Sequence, residues 1–308
     1  MSQQLAEEER SQRSAGGSRT AADIITHHQR ALEEALARAL PPRDLAPARL
    51  HAAMWDAVFP GGRRARPLLC LLVAERYGQG DDELVMRMAM AVELVHCASL
   101  VQDDMPCFDD ADTRRGRPAI HKVYGDATAI LVGDALLTLA FEVLAQAPAR
   151  RATTAFRLFG LLGSAAGSSQ GIIGGQGLEL EPSVDLDAYH RQKTAALFRA
   201  AAAGAAVCCG AEGDVARWAR VGELLGCALQ LRDDIDDVEA TPEAVGKPIG
   251  RDAALGRPNA ALQDGVGSAR ALRQALIDGV AELLGAPTPE TEALRLVVDE
   301  ATRPAVRR

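Results

Sequence analysis

The chain has 308 residues, of which 48% are apolar, and a formal net charge of −8. That length admits one large domain or two ordinary ones. Mild acidity without a long basic run excludes electrostatic capture of nucleic acid or anionic lipid, so an anionic ligand must be held by locally placed basic side chains.

The first stretch, MSQQLAEEERSQRSAGGSRT, lacks the apolar core of a signal peptide and reads as a disordered polar tail over 1–20. The strongest apolar run, LLCLLVA from Leu68, is too short to span a bilayer, so a soluble cytoplasmic protein rather than an integral membrane protein is expected. Six cysteines occur without CxxC spacing or a His/Cys cluster. Reduced, mostly buried thiols are therefore expected, not a zinc site or a disulfide framework.

From residue 21 onward, alanine and leucine recur at three- and four-residue steps with almost no β-branched alternation, which predicts an all-α protein. Helices are expected near 21–40, 47–58, 64–78, 82–104, 126–147, 151–169, 186–209, 214–237, 267–284 and 289–302. No linker-like composition interrupts them, so 21–308 reads as one domain, a bundle of helices. Gly and Pro gather at three breaks: FPGGRRARP, DDMPCFDDADTRRGRP, and a long segment over 238–258 that reads as a mobile lid.

At the first break, Arg63 and Arg66 stand three apart where a helix begins, a plausible anion site aided by free backbone N–H groups. In the next helix His96, Ser99 and Asp103 form a polar stripe. Alone, His96 reads as a core histidine; the stripe turns it toward a cavity. Asp103 and Asp109 are six positions apart, which on a continuous helix would set them roughly 120° apart. Pro106 disfavours continuation, so the chain is expected to distort after Asp104 and bring Asp109 back. Arg114 and Arg115 follow, with forks suited to phosphate oxygens; surface ion pairs with the neighbouring aspartates are the alternative.

Lys193 and Thr194 lie in a later helix, where a solvated lysine is the plain reading. Asp233 and Asp237 then share one helical face with Asp234 beside them and Gln230 one turn before Asp234. Such like charge needs a cationic counterpart. An oxygen-only cluster suits magnesium, and a solvated acidic helix end is the alternative. Two acidic helix ends, each followed by basic residues, favour a diphosphate bridged to protein by Mg2+ and clamped by Arg or Lys.

With these pieces in order, the chain resembles the trans-isoprenyl diphosphate synthases of the polyprenyl synthetase family. PGGRRARPLL is similar to its GGKRxRP element, DDMPCFDDADTRRGRP to its first aspartate motif, GGQGLELE to its GQxxDL element, and QLRDDIDDVEATPEAVGKPIGRD to its second aspartate motif. The resemblance runs from about residue 21 to the end. It implies antiparallel helices around a deep cavity, a homodimer, and condensation of isopentenyl diphosphate with C5 to C15 allylic diphosphates. It places Mg2+ on Asp103, Asp104, Asp109, Asp233, Asp234 and Asp237, and the allylic diphosphate on Arg114, Lys193 and Lys247. Arg63, Arg66, His96 and Arg115 would hold isopentenyl diphosphate. Thr194 and Gln230 would face the developing cation.

The chain departs from the family pattern at Gln102 (commonly His), Arg63 (Lys), Leu229 (Phe) and Glu179 (Asp). None of these removes a metal ligand or a phosphate-clamping charge. Ala98 and Ser99, five and four positions before Asp103, are small where farnesyl-making relatives tend to carry an aromatic. The surroundings most resemble bacterial geranylgeranyl diphosphate synthases of carotenoid or chlorophyll pathways, so a C20 product is expected. Phe141 or Phe159 could instead cap the tunnel, and a farnesyl or longer product is the alternative. A terpene cyclase is disfavoured because its NDxxSxxxE motif is missing, and a non-catalytic partner subunit because both aspartate motifs are intact.

Overall fold

The structure, a computed structural model, describes residues 19–80, 82–241, 250, 252, 253 and 256–303. Of the expected tail only Arg19 and Thr20 lie among them, and most of the 238–258 segment, Lys247 included, lies outside the described residues.

The long helices are α1 (Ala21–Ala39), α2 (Ala48–Val58), α3 (Ala65–Glu75) and α4 (Glu83–Asp103). After a small hairpin of β1 (Thr113–Arg114) and β2 (Arg117–Pro118) come the short α5 (Ile120–Tyr124), α6 (Asp126–Ala145), α7 (Ala152–Ala166) and α8 (Ile172–Leu178). α9 (Leu186–His190) runs through a π-turn at Arg191–Ala195 into α10 (Ala196–Cys208). α11 (Val215–Glu239), the single-turn α12 (Ala260–Gln263), α13 (Val266–Leu284) and α14 (Pro289–Thr302) complete the described chain. The helical periodicity thus located every long element. It missed α5, α8, α12, the hairpin and the π-turn, all too short to carry a period.

Helix starts follow local chemistry. Thr20 and Asp23 form a reciprocal capping box on α1, and the Asp82 side chain accepts the Leu84 and Val85 N–H groups at the start of α4. The core lies between α4, α6, α10 and α11, with Leu94, Leu136, Phe198 and Trp218 fully buried. α4 and α6 are long and apolar enough to cross a bilayer, a property that reading one unbroken apolar run had missed. The bundle buries 72% of the α4 span but only 44% of the α6 span, so α6 keeps an uncovered apolar face.

Three glycines decide how closely α8 and α11 approach the π-turn and the start of α10. A Cβ at Gly226 would lie 2.3 Å from Ala195 Cα, one at Gly222 would lie 2.3 Å from Phe198 O, and one at Gly175 would lie 2.3 Å from Lys193 N. No side chain fits at those distances. The π-turn, whose extra residue changes the direction of the following side chains, is therefore gripped from two sides. It carries Lys193 and Thr194.

Candidate active site

A cavity of about 1120 Å³ opens among α3, α4, α8, the π-turn and α11. Its wall holds Asp103 and Asp109 from the first motif and Asp233 from the second. Arg63, Arg66, His96, Arg114, Arg115, Lys193, Thr194 and Gln230 also line it, together with the apolar Leu100, Ile130, Ile172 and Ile173. All of these except the four apolar residues were singled out in the sequence, and one cavity collects them.

The return of Asp109 is visible in the backbone. α4 ends at Asp103, the chain turns through Pro106, and the Asp109 N–H donates to the Asp103 carbonyl at 2.9 Å. Just beyond, Arg115 (φ 52°) and Gly116 (φ 74°) form a two-residue hairpin loop with positive φ at both positions, the geometry that joins two twisted strands. This hairpin separates two adjacent arginines. Arg114 donates to Asp104, with Nε at 2.9 Å from Oδ1. The Arg115 guanidinium instead passes over Gly62, where a Cβ would meet its Cζ at 2.9 Å.

The glycine pair ahead of α3 has a shared reason. Gly61 lies under Arg64 as Gly62 lies under Arg115, and a Cβ at Gly61 would sit 2.1 Å from Arg64 Cζ. Arg64 is buried and ion-paired with Glu93 (2.5 Å) and Glu33 (2.8 Å), so it anchors the loop at the edge of the cavity. Sequence reading passed over it. Arg63, by contrast, is held by α14 through Glu300, whose carbonyl accepts from Nη1 at 2.8 Å.

Arg66 differs from its neighbours. Its Nη1 lies 3.2 Å from His96 Nε2 and its guanidinium stacks 4.6 Å from the Phe198 ring centroid, while Nε is buried without a hydrogen-bond partner. Burial lowers its pKa to about 10, with Glu93 and Asp233 opposing. Burial, and then the charge of Arg66, hold His96 well below its ordinary pKa, so the imidazole is neutral. A buried donor without an acceptor is costly. An anion entering beside Arg66 and Arg115 would relieve that cost.

Elsewhere the carboxylates already have cations. Asp109 pairs with Arg257, Asp233 with Arg232, and Lys193 with Glu179. Glu179 also accepts from the Tyr189 hydroxyl at 2.5 Å and from Gln176 Nε2 at 2.9 Å. Burial opposes the charge on Lys193, but Asp103 and Glu179 outweigh it and raise its pKa. Arg257 and Glu179 were not among the sequence candidates. An arginine after a long loop gave no spacing signal, and Glu179, just past the end of α8, stands out in the sequence only as a departure from the GQxxDL element.

The second motif divides. Asp233 and Asp236 line the cavity, Asp237 is buried and accepts the Asp252 N–H at 3.3 Å, and Asp234 is fully buried with both oxygens engaged. Among the described residues no three carboxylate, imidazole or thiol groups gather to hold a metal ion by themselves. Oxygen donors on two facing walls nonetheless fit magnesium, which keeps places for water and phosphate oxygens. Helical walls, opposed carboxylates and a buried guanidinium Nε without a hydrogen-bond partner meet in one cavity.

The sequence pattern of the polyprenyl synthetase family matches residues 47–287, and the chain belongs to that family. It is 44% identical over 243 residues to a geranylgeranyl diphosphate synthase of Cereibacter sphaeroides, covering 79% of this chain and 84% of the relative. A second geranylgeranyl diphosphate synthase, from Rhodobacter capsulatus, is 43% identical over 259 residues, covering 83% and 89%. Among solved structures, a geranyltransferase from Helicobacter pylori complexed with magnesium and isoprenyl diphosphate superposes with TM-score 0.78 at 28% identity, covering 91% of this chain and 97% of that one. An FPP/GFPP synthase from Zymomonas mobilis gives 0.77 at 30% identity, covering 91% and 98%.

Burial raises the Asp103 pKa above its ordinary value, with Lys193 opposing. A carboxyl whose folded pKa is raised loses stability for the protein as pH climbs through that interval, and the deficit persists at neutral pH. Asp103→Asn is therefore expected to raise the melting temperature of the metal-free protein at pH 7 while lowering turnover by roughly 10²- to 10³-fold. Calorimetry beside a product assay checks both signs; a lower melting temperature would give Asp103 a structural role.

Proposed function

We propose that the chain condenses isopentenyl diphosphate with C5 to C15 allylic diphosphates and ends at the C20 product, geranylgeranyl diphosphate. The observation that carries this reading is the single cavity in which both aspartate motifs, the basic residues and an apolar wall meet. The product named for the two bacterial relatives supports the chain length. So does the wall itself. Ser99, one turn before Asp103, lines the cavity with its hydroxyl turned to the His96 carbonyl at 2.9 Å, whereas Phe141 and Phe159 stack on each other 5.9 Å apart and are not among the lining residues.

Arg114 and Lys193 grip the allylic diphosphate once it displaces Asp104 and Glu179, with Lys247 assigned by resemblance. Asp103 and Asp109 face Asp233 across that group and would hold Mg2+, and Asp104, which is buried against Arg114 and does not line the cavity, is assigned to the metal by resemblance. The metal, when bound, neutralises charge gathering on the departing diphosphate. Thr194 and Gln230 turn oxygen toward the carbon that becomes positive. Arg63, Arg66, His96 and Arg115 hold isopentenyl diphosphate so that its double bond faces that carbon, and the proton lost afterwards passes to the departing diphosphate. Leu100, Ile130, Ile172 and Ile173 shelter the growing chain from water.

Two further proposals concern setting. A homodimer through α6 and α7 is supported by Leu131, 54% exposed, and Phe156, 79% exposed, on neighbouring helices. A cytoplasmic location is supported by six free cysteines, and a disulfide in the isolated protein would count against it. Use of the product in carotenoid or chlorophyll formation rests on the resemblance.

Incubation of purified protein with magnesium, isopentenyl diphosphate and each allylic primer is expected to give a C20 product by chromatography. A C15 end point would overturn the chain length, and no elongation would overturn the reaction. Ser99→Phe is expected to shorten the product to C15. Sedimentation velocity is expected to show a dimer that Leu131→Lys dissociates; a wild-type monomer would refute the α6 face as an interface.

A further inference from the structure

Asp234 reads in sequence as one of three ligands in DDxxD, yet no part of it lines the cavity. It is 0% exposed, and its carboxylate accepts three hydrogen bonds: from Gln230 Nε2 to Oδ1 (2.9 Å), and from His190 Nε2 (3.1 Å) and the Ala260 N–H (2.9 Å) to Oδ2. Asn259 Nδ2 adds a bond to the Asp234 carbonyl at 3.2 Å. These partners come from the end of α9, from α11 itself and from the start of α12. A carboxylate so enclosed has little left to offer a cation in the cavity.

We propose that Asp234 is a positioning residue that sets the direction of the Gln230 amide, with His190 holding Asp234 in place, and that it is not a metal ligand. An ionised carboxylate can only accept, so the Gln230 NH2 must face it and the Gln230 carbonyl oxygen must face the other way. That oxygen accepts the Thr194 hydroxyl proton. Committing its proton to Gln230 leaves the Thr194 oxygen with only acceptor lone pairs to offer. Both Thr194 and Gln230 line the cavity. One buried carboxylate group thus fixes the sense of two dipoles on the cavity wall without touching substrate. The His190–Asp234–Gln230–Thr194 chain also links the π-turn to α11, so the same contacts that hold these helices in register orient the oxygens. The proposal rests on the prenyl-transfer reading only for what those oxygens face.

Asp234→Asn is isosteric but can donate, so the Gln230 amide is free to turn its NH2 toward the cavity. The expected result is a fall in kcat of about 10²-fold with KM for both diphosphates within about threefold. Mn2+ uptake in the presence of inorganic diphosphate, read by electron paramagnetic resonance, is expected to stay within about threefold of wild type, while Asp233→Asn weakens it by more than tenfold. In a Gln230→Leu background, Asp234→Asn is expected to cost nothing further, because it acts through Gln230. Mn2+ uptake weakened more than tenfold by Asp234→Asn, or multiplicative costs in the double variant, would overturn the proposal. If Asp234→Asn does not fold, His190→Leu serves. It keeps Asp234 and removes only one of its donors, and a kcat loss of about tenfold that vanishes in the Gln230→Leu background is expected; unchanged kcat would overturn the proposal. A wild type without any turnover would refute the prenyl-transfer reading instead, and Mn2+ uptake would still decide whether Asp234 is a ligand.

Discussion

The mutual neutralisation of aspartates and basic side chains across one cavity is the constraint on which the rest of this structure depends. Asp104 sits against Arg114, Asp109 against Arg257, Asp233 against Arg232, and Lys193 against Glu179. Partial enclosure makes each of these charges costly without a partner, because desolvating an unpaired ion costs several kcal/mol. The proposed diphosphate grip uses Arg114 and Lys193, and the proposed metal sites use Asp104 and Asp109. On that proposal, loading the cavity would be an exchange of partners, with the carboxylates turning to Mg2+ and the basic side chains to a diphosphate.

The scaffold places these pairs by close backbone approach as much as by side-chain packing. Gly175, Gly222 and Gly226 let α8 and α11 clamp the π-turn and α10, and Gly61 and Gly62 let two guanidinium groups cross the loop before α3. Arg64 ties that loop to α1 and α4 through Glu33 and Glu93. Its neighbours Arg63 and Arg66 are left facing the cavity. Arg66 is the exception to the pairing: its buried Nε has no partner, which marks the wall where the second anion is expected.

Much of this was legible in the sequence because helices and acidic motifs have periods. The three- and four-residue steps of leucine and alanine located every long helix, and Pro106 between Asp103 and Asp109 announced the return that the Asp109 N–H completes. What escaped lacks a period. The π-turn adds one residue inside a helical pattern that looks continuous from 186 to 209, and the Arg115-Gly116 loop is two residues long. Equivalent letters also concealed different fates: in DDIDD, Asp233 and Asp236 reach the cavity while Asp234 is drawn inward by His190 and Ala260, partners 44 and 26 residues away in sequence. Spacing says which side chains share a face, but not which distant donors will claim them. The cations Arg257 and Arg232 were missed for the same reason.

Partner exchange is tested most directly by calorimetric titration of the metal-free protein with magnesium and with inorganic diphosphate, each alone and in the presence of the other, corrected for the complex the two form in free solution. If each ligand releases the protein groups that the other needs, each is predicted to tighten the other by about tenfold or more, and by the same factor in both orders of addition. Affinities for either ligand that are unchanged by the other would contradict it.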